Sequence, residues 1–495
     1  MDIKRRDFVK ATAAAAAGIS LSGKRAGGGQ ERPNVLVVLV DQMRFPMWTP
    51  DLRTPNIDRL AARGVSFTNG FTAASPCSPS RACILTGTYT TQNQVYQNVD
   101  WLFGAQPSLD PEVPTMGHVF GEAGYQTPYR GKWHLTKKRE RRQALAPYGF
   151  SRWVERDPET GKVCNCGENA GGLANCGFNQ DHILARQSAD WILDPANRKG
   201  PWSMVCSLVN PHDICSYPRA YPHTKKWPIR SKEPPPNYND DLSTKPGIQK
   251  EYADIWGLLF GRIKGDDTEA WRRYLDFYMH CIEDVDEHIG TVLDALEESG
   301  QSDNTIVVFT SDHGEMAGSH QQRVKGPMAY DEVMKVPFMI SWPGHIPEGV
   351  KTDSLASTVD ILPTIISLSG IKGVPYQAGI DLSPELMSPG DARQREEVIF
   401  HMNGRRDPDE GKNSPIMSLA RSPMQIRCIR TKDWKYAQYF TAGKDESEEE
   451  LYNLSDDPLE MKNLARDPGY RQKAAELNGR LTEEEERLDR EYDRA

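Results

Sequence analysis

The sequence predicts an α/β fold, with a large, mainly parallel central β-sheet sandwiched by helices and a smaller C-terminal α+β domain containing an antiparallel sheet. Three apolar runs carry the first part of this prediction: RPNVLVVLVDQMRF, PWSMVCSLVNPHD and NTIVVFTSDHGE. Runs without polar alternation are typical of parallel strands buried on both faces. Helical patterns lie between them, and such alternation indicates an α/β sandwich. Each run ends on polar residues, and ligands of such sheets bind beyond the carboxyl ends of the strands.

The elements between these strands follow from local patterns. TPNIDRLAARGVSFTNGF predicts one helix, with Thr54 as its cap, Pro55 in its first turn and Gly64 at its end. VPTMGHVFGEAGYQT predicts a second helix, and PYRGKWHL predicts a strand. YLDFYMHCIEDVDEHIGTVLDALEESG carries apolar residues on one face and predicts a helix that Gly300 ends. Residues 214–250 are rich in proline, lysine and asparagine, which predicts a long surface excursion.

Changes in composition divide the chain into three parts. We expect an export signal and linker over 1–31, the main α/β domain over 32–390 and a C-terminal subdomain over 391–495. The C-terminal part contains the strand candidates EVIFHM, MQIRCIRTKDWKYAQYF and EELYNL, followed by a charged helix. These short strands predict an antiparallel sheet.

Composition and the first residues limit which partners the protein can have. The 495-residue chain has a formal net charge of -9, which argues against a nucleic-acid surface but leaves an anionic substrate possible. The segment KRRDFVK followed by ATAAAAAGISLSG resembles a twin-arginine export signal, and a basic disordered tail is the alternative. The apolar stretch is too short for stable membrane insertion. We therefore expect a periplasmic or secreted protein exported by the twin-arginine translocase.

The stretch SPCSPSRACILTG raises the question of what Cys77 does. Cys83 lies close enough in sequence to form a disulfide with it. A thiolate nucleophile of the phosphatase type fits poorly, because Arg81 follows by four positions where six are needed. C-S-P-S-R-A-C-I-L-T-G resembles the signature of type I sulfatases of the alkaline phosphatase superfamily. That resemblance implies oxidation of Cys77, and not Cys83, to formylglycine (3-oxoalanine) by a maturation enzyme, which the folded export route places in the cytoplasm. The hydrate of formylglycine offers one hydroxyl to attack sulfur and a second to release the sulfate.

Polar residues at the strand ends predict a metal centre. Asp41, Asp312 and His313 offer oxygen and imidazole ligands, which suit a hard divalent cation. The alternative is that each aspartate caps the next helix. The resemblance implies that position 77 joins these ligands and that the ion is Ca²⁺, with Mn²⁺ or Mg²⁺ as alternatives. Gln42 stands where sulfatases usually carry a second aspartate; the same departure is found in choline sulfatases and phosphonate monoester hydrolases, and the amide can still act as a ligand.

The remaining candidate catalytic residues are cationic. Lys132 and His134 are two apart, so they share one face of an extended segment. They match the sulfatase pattern G-K-W-H, which implies that Lys132 bridges sulfate and formylglycine and that His134 acts on its hydroxyl. NPHD and VKGPMAYDE resemble further sulfatase segments, implying that His212 and Lys325 contact the ester oxygen and the sulfate; by the same resemblance, Arg81 orients the nucleophile. His212 suits the acid that protonates the leaving alcohol, with packing at a strand end as the alternative reading.

Other cysteines cluster in the middle of the chain: Cys164, Cys166, Cys176, Cys206 and Cys215. Their spacing matches no zinc pattern, and in an oxidising compartment we expect one or two disulfides among them, with free thiols as the alternative. We expect Cys281 to pack in the core.

The function predicted from the sequence is hydrolysis of sulfate monoesters, with an extracellular sulfated carbohydrate as substrate. A phosphonate monoester or phosphodiester hydrolase on the same scaffold is one alternative, motivated by Gln42. A non-catalytic sulfated-glycan binder is the other.

Overall fold

The structure is a computed structural model. It describes residues 32–46, 51–99, 108–136, 145–151, 176–391, 395–403, 420–441, 443–444 and 447–494. Residues 33–495 form one compact unit. The predicted export signal, Cys164 and Cys166 lie outside the described residues, as does the side chain of Cys176. Among the residues that are described, no helix combines the length and the apolar character needed to cross a bilayer.

The larger sheet has seven strands in the order β4-β5-β1-β6-β7-β2-β8. Their bounds are β1 Asn34–Asp41, β2 Gly64–Phe71, β4 Tyr129–Gly131, β5 Ser203–Pro211, β6 Thr305–Ser311, β7 Phe338–Ser341 and β8 Val350–Ser357. Strand β1 is buried along its whole length and pairs in parallel with both β5 and β6. Strand β7 is antiparallel to both of its neighbours, and the other pairs are parallel. The mainly parallel sheet predicted from the apolar runs is confirmed.

Strand register explains why the polar strand ends meet. Val40 of β1 lies beside Ser311 of β6, and Asp41 lies beside Pro211 of β5. Parallel strands carry their carboxyl ends to the same edge of the sheet, so the residues that follow β5 and β6 lie next to the end of β1. Residues 212–213 and 312–313 are thereby placed around Asp41.

Helices cover both faces of this sheet, and further helices pack against the smaller sheet. Their bounds are α1 Pro55–Ala61, α2 Cys77–Thr86, α3 Thr90–Asn93, α4 Met116–Glu122, α5 Cys176–Leu193, α6 Gly247–Phe260, α7 Thr268–Glu298, α8 Asp331–Met334, α9 Ile361–Leu368, α10 Ser383–Met387 and α11 Arg471–Arg494. Alternate residues of β1 belong to different cores. Leu36 and Val38 pack with α1, α5 and α7, whereas Val35 and Val37 pack with α2, α4 and α9. The predicted sandwich is therefore present.

The smaller sheet has the order β12-β11-β10-β9-β3. Its strands are β3 Ala74–Ser75, β9 Glu397–Met402, β10 Gln425–Thr431, β11 Trp434–Phe440 and β12 Ser447–Asn453. The last four are antiparallel, as the sequence predicted, and α11 packs against them through Leu477 and Leu481. Strand β3 joins the other edge in parallel with β9, two residues before Cys77. The second sheet therefore supports the segment that carries this cysteine.

Two local predictions are wrong. The helix predicted to run to Gly64 ends with Ala61, Thr54 makes no side-chain cap bond, and Gly64 begins β2. An added Cβ on Gly64 would lie 2.2 Å from the carbonyl oxygen of Ile340, so β2 and β7 can approach only because this residue is glycine. The segment 214–250 is also more than a surface excursion, since Asn237 and Lys245 within it are buried.

Candidate active site

Cys77 is the first residue of α2 and is almost completely buried. Its sulfur lies 3.2 Å from His313 Nε2, 3.7 Å from Asp41 Oδ1 and 3.8 Å from Lys132 Nζ. Cys83, one and a half turns along the helix, is also buried and is a free thiol, as Cys77 is. The disulfide alternative for Cys77 is therefore wrong, and its sulfur faces the predicted metal ligands instead.

Arg81 joins the two aspartates that follow β1 and β6. Its Nη2 donates to Asp41 Oδ2 at 2.8 Å, and its Nε donates to Asp312 Oδ2 at 3.0 Å. Nη1 donates to Ser207 Oγ at 2.7 Å and to the carbonyl of Lys132 at 2.8 Å. A guanidinium held by four bonds fixes both carboxylates in place. Its predicted role in activating the nucleophile stays a prediction.

Charge explains how two carboxylates can share this buried site. Burial would raise the pKa of Asp41, but Lys132, His212 and Arg81 outweigh it and hold that pKa well below its ordinary value. Burial and the neighbouring Asp41 raise the pKa of Asp312. Like charges in contact push their pKa values apart in this way. A bound cation would relieve that repulsion.

Four of the predicted metal ligands converge. One ligand atom from each of Asp41, Cys77, Asp312 and His313 lies within 4.8 Å of the others. His313 Nδ1 lies 2.9 Å from the carbonyl of Gly314, which can only accept, so Nδ1 carries a proton. That bond leaves Nε2, which faces Cys77, as the nitrogen able to ligate. The arrangement fits a divalent cation.

Lys132 and His134 follow directly after β4, and Lys132 reaches the site. Lys132 Nζ donates to Asp41 Oδ2 at 2.6 Å, so this ammonium lies between Asp41 and Cys77. His134 is buried with φ +59°, and its carbonyl accepts from Ser78 Oγ at 2.6 Å. Left-handed backbone in a non-glycine residue is costly and is concentrated at functional sites. The backbone of His134 is thus hydrogen-bonded to Ser78, the residue after Cys77.

His212 and Lys325 complete the predicted set. His212 is buried at the end of β5. Burial lowers its pKa well below the ordinary value, and Lys132 and Lys325 lower it further, so both cations lie within electrostatic reach. Burial opposes the charge on Lys325 as well, but neighbours that include Cys77 and Asp41 raise its pKa.

Gln42 is buried beside these residues with φ +75°. Its carbonyl oxygen accepts from Lys325 Nζ, and its amide nitrogen donates to Glu315. Its predicted role as a metal ligand stays a prediction.

Two residues of the site, Cys215 and Glu315, were not predicted from the sequence. Cys215 Sγ lies 2.9 Å from the carbonyl oxygen of Gln42 and 3.4 Å from Lys325 Nζ, and Glu315 contacts the amide nitrogen of Gln42. Cys215 was instead placed among five cysteines expected to form one or two disulfides. Cys206 and Cys215 form none, because both are buried free thiols, and Cys206 sits inside β5 where Ser188 bonds its sulfur. The prediction for the other three falls on side chains outside the described residues. Glu315 directly follows the Asp-His-Gly segment, but no local pattern pairs it with a residue near the start of the chain.

Family profiles cover this whole region. The profile described as Sulfatase matches residues 33–371. The profile described as N-sulphoglucosamine sulphohydrolase, C-terminal, matches residues 318–487. Together they span both sheets.

Individual proteins agree with the profiles. The uncharacterized sulfatase YidJ of Escherichia coli is 30% identical over 88% of this chain and 84% of its own length. A Δ4,5-hexuronate-2-O-sulfatase of Bacteroides thetaiotaomicron is 28% identical over 93% of this chain and 90% of its own. The solved structure of a 2-O GAG sulfatase superposes with a TM-score of 0.72 at 25% identity and covers 94% of both chains. The chain therefore belongs to the sulfatase family, has the alkaline-phosphatase-like fold and is a sulfuric ester hydrolase.

Proposed function

We propose that this protein removes sulfate from a sulfated carbohydrate, with a formylglycine made from Cys77 and a divalent cation held by Asp41, Asp312 and His313. One observation carries the proposal: the side chain of Cys77 lies among these ligands and Lys132 at the first turn of a buried helix. Substrate class is supported by relatives whose names specify sulfated sugars, such as the hexuronate-2-O-sulfatase.

The donor set favours a hard cation, and we propose Ca²⁺, with Mn²⁺ or Mg²⁺ as the alternatives. When bound, the cation would polarise the sulfate ester, and a formylglycine hydrate would supply the nucleophilic hydroxyl. Arg81 would hold the two aspartates at the spacing that the ion needs. His313 would ligate through Nε2 because Gly314 fixes its other nitrogen.

The cations would stabilise the charge that develops during hydrolysis. Lys132 reaches Asp41 and position 77, where it can contact both the nucleophile and a sulfate oxygen. Lys325 would contact the sulfate from the Gln42 side, and His134 would act on the nucleophilic hydroxyl. Fixed donors in a dry site make the largest contribution to such reactions.

His212 is the proposed acid for the leaving alcohol. Its lowered pKa leaves it neutral at neutral pH in the free protein, because burial and the two lysines disfavour its charge. An anionic sulfate beside those lysines would offset part of that effect and favour the protonated imidazole. We therefore expect His212 to gain its proton when the substrate binds.

Export and maturation complete the proposal. The twin-arginine segment, together with a polymeric substrate, supports a periplasmic or secreted enzyme. Since that route carries folded proteins, the formylglycine-forming partner would act in the cytoplasm.

Conversion of Cys77 and turnover can be tested in one experiment. The full chain is produced with a formylglycine-forming enzyme, the peptide containing Cys77 is analysed by mass spectrometry, and sulfate released from sulfated oligosaccharides is measured by ion chromatography. We expect an aldehyde at position 77 and free sulfate, both absent in Cys77→Ala. Cys83→Ala is the matched control, since Cys83 is equally buried in the same helix, and it should retain both. An unmodified thiol in an active wild-type enzyme would refute the formylglycine.

The phosphonate or phosphodiester alternative rests on Gln42, which removes one negative charge from the site. Aryl sulfate and aryl phosphonate esters assayed side by side separate the two. Higher kcat/KM on the phosphonate would overturn the sulfate proposal. The glycan-binder alternative is not retained, because the chain is a sulfuric ester hydrolase.

A further inference from the structure

Gln42 has partners of opposite charge at the two ends of its amide. The carbonyl oxygen accepts from Lys325 Nζ, and the nitrogen donates to Glu315 Oε2. An ammonium can only donate and a carboxylate can only accept, so these partners allow one orientation of the amide. Reversing it would place the NH₂ group against Lys325.

Glu315 is itself fixed by the chain around it. Its Oε1 accepts from Tyr274 Oη at 2.9 Å and from the backbone nitrogens of Ala317 and Val324 at 2.9 and 2.6 Å. Together with the bond from Gln42, this gives a fully buried carboxylate four donors. These four donors hold the carboxylate of Glu315 in one position.

Cys215 supports the other end of the amide. Its Sγ lies 2.9 Å from Gln42 Oε1, where the thiol can donate. The carbonyl oxygen of Gln42 therefore accepts from both Cys215 and Lys325.

We propose that Glu315 is a positioning residue, which orients the amide of Gln42 and thereby sets the place of the Lys325 ammonium at the sulfate. In this arrangement the carboxylate that a second aspartate would bring to position 42 is supplied by Glu315, at the end of the Gln42 amide away from Lys325. A carboxylate at position 42 would repel Glu315, so a neutral amide suits this neighbour. The inference rests on the proposed function only for the role of Lys325.

An exchange of the two side chains tests this proposal. Gln42→Glu places two carboxylates in contact, and Glu315→Gln opposes two NH₂ groups. The double variant Q42E/E315Q restores one acid and one amide of unchanged size, with the amide still able to accept at Oε1. We expect each single variant to lose about 10- to 100-fold in kcat/KM, as for a buried polar group left unsatisfied, and the double variant to recover at least half of that loss on a logarithmic scale.

Two measurements separate a positioning role from a general loss of stability or of Cys77 conversion. Sulfate release is normalised to the converted fraction of Cys77, and urea unfolding midpoints are recorded for all four proteins. Glu385→Gln is the matched control: Glu385 is a buried carboxylate bonded by Ser354 Oγ at 2.8 Å and Gly390 N at 3.0 Å, so it should shift the midpoint without changing kcat/KM.

Additive losses in the double variant, in activity or in midpoint, would overturn the proposal. If the converted wild-type protein releases no sulfate from any substrate, the proposed function fails instead. The unfolding midpoints then still show whether positions 42 and 315 are coupled.

Discussion

Two of the buried charge clusters in the described part of the chain lie one on each sheet. The candidate catalytic cluster lies at the carboxyl ends of β1 and β6 and consists of Asp41, Arg81, Lys132, Asp312 and His313. The Lys435 cluster lies against β10 and β11 and consists of Asp331, Arg430, Lys435 and Glu460. Both combine two carboxylates with two cations, so the number of charges does not distinguish the functional site.

What differs is where the cations point. Lys435 Nζ lies 2.7 Å from Asp331, 2.6 Å from Glu460 and 2.9 Å from the carbonyl of Ala329, so its charge is matched by the carboxylates of its own cluster. Lys132 bonds Asp41, and its next contact is the sulfur of Cys77. The contacts of Lys435 stay within its own cluster, whereas Lys132 also places its charge beside the sulfur of Cys77.

The largest effect on stability should come from the Lys435 cluster. Lys435→Met leaves Asp331 and Glu460 buried without their shared cation, and breaking a buried pair in this way costs about 3–5 kcal/mol of unfolding free energy. Equilibrium urea unfolding measures this loss of unfolding free energy. Lys432→Met is the control, because the Lys432–Asp353 pair is exposed and should be worth about 1 kcal/mol or less. Equal losses for the two variants would show that Lys435 is not a stabilising centre.

The next largest effect should appear in turnover. Lys132→Met removes a cation that reaches position 77, and loss of one fixed donor from such a site costs about 10²–10³-fold in kcat. Its stability cost should be smaller than that of Lys435→Met, because Asp41 keeps its bond to Arg81, whereas Glu460 loses the cation with which it pairs. Sulfate release and urea unfolding on the same two variants give the comparison. A Lys132→Met enzyme that is strongly destabilised but fully active would contradict this distinction between the two clusters.

The two clusters also differ in how far the sequence reveals them. Asp41, Asp312 and His313 follow apolar runs, and the rule for parallel sheets predicts that such residues meet. Cys77 and Lys132 stand in segments that resemble family motifs. No local pattern pairs Asp331, Lys435 and Glu460 with one another, and they meet only because the second sheet packs on the segment after Lys325.

The features that were predicted wrongly or missed also depend on contacts between residues distant in sequence. Strands β1, β5 and β6 were predictable because each is a continuous apolar run that is buried on both faces. The first helix was predicted to end at Gly64, because glycine commonly ends a helix, whereas it ends at Ala61. The strand from Gly64 to Phe71 was not predicted, because its burial comes from neighbours distant in sequence. Cys215 and Glu315 were missed for the same reason, since Gln42 lies 173 and 273 residues away. Contacts across such distances leave no local pattern.

The Lys435 cluster should also give the free energy of unfolding a pH dependence of its own. Burial and the adjacent Asp331 raise the pKa of Glu460 from 4.5 to about 8, although Lys435 opposes the change. The folded state therefore holds a proton that the unfolded state has lost between pH 5 and 8, so this group makes stability fall as pH rises, by up to about 1.4 kcal/mol per unit.

Glu460→Gln cannot titrate, so its unfolding free energy should decline less between pH 5 and 8 than that of the wild-type protein. Urea unfolding at pH 5, 6, 7 and 8 gives both slopes. Glu476→Gln, which alters only an exposed pair with Lys473, should keep the wild-type slope. Parallel curves for wild type and Glu460→Gln would mean that Lys435 neutralises both of its carboxylates at once. The Lys435 cluster would then be a fully ionised network, and the direction of its cations would be the sole difference from the candidate catalytic cluster.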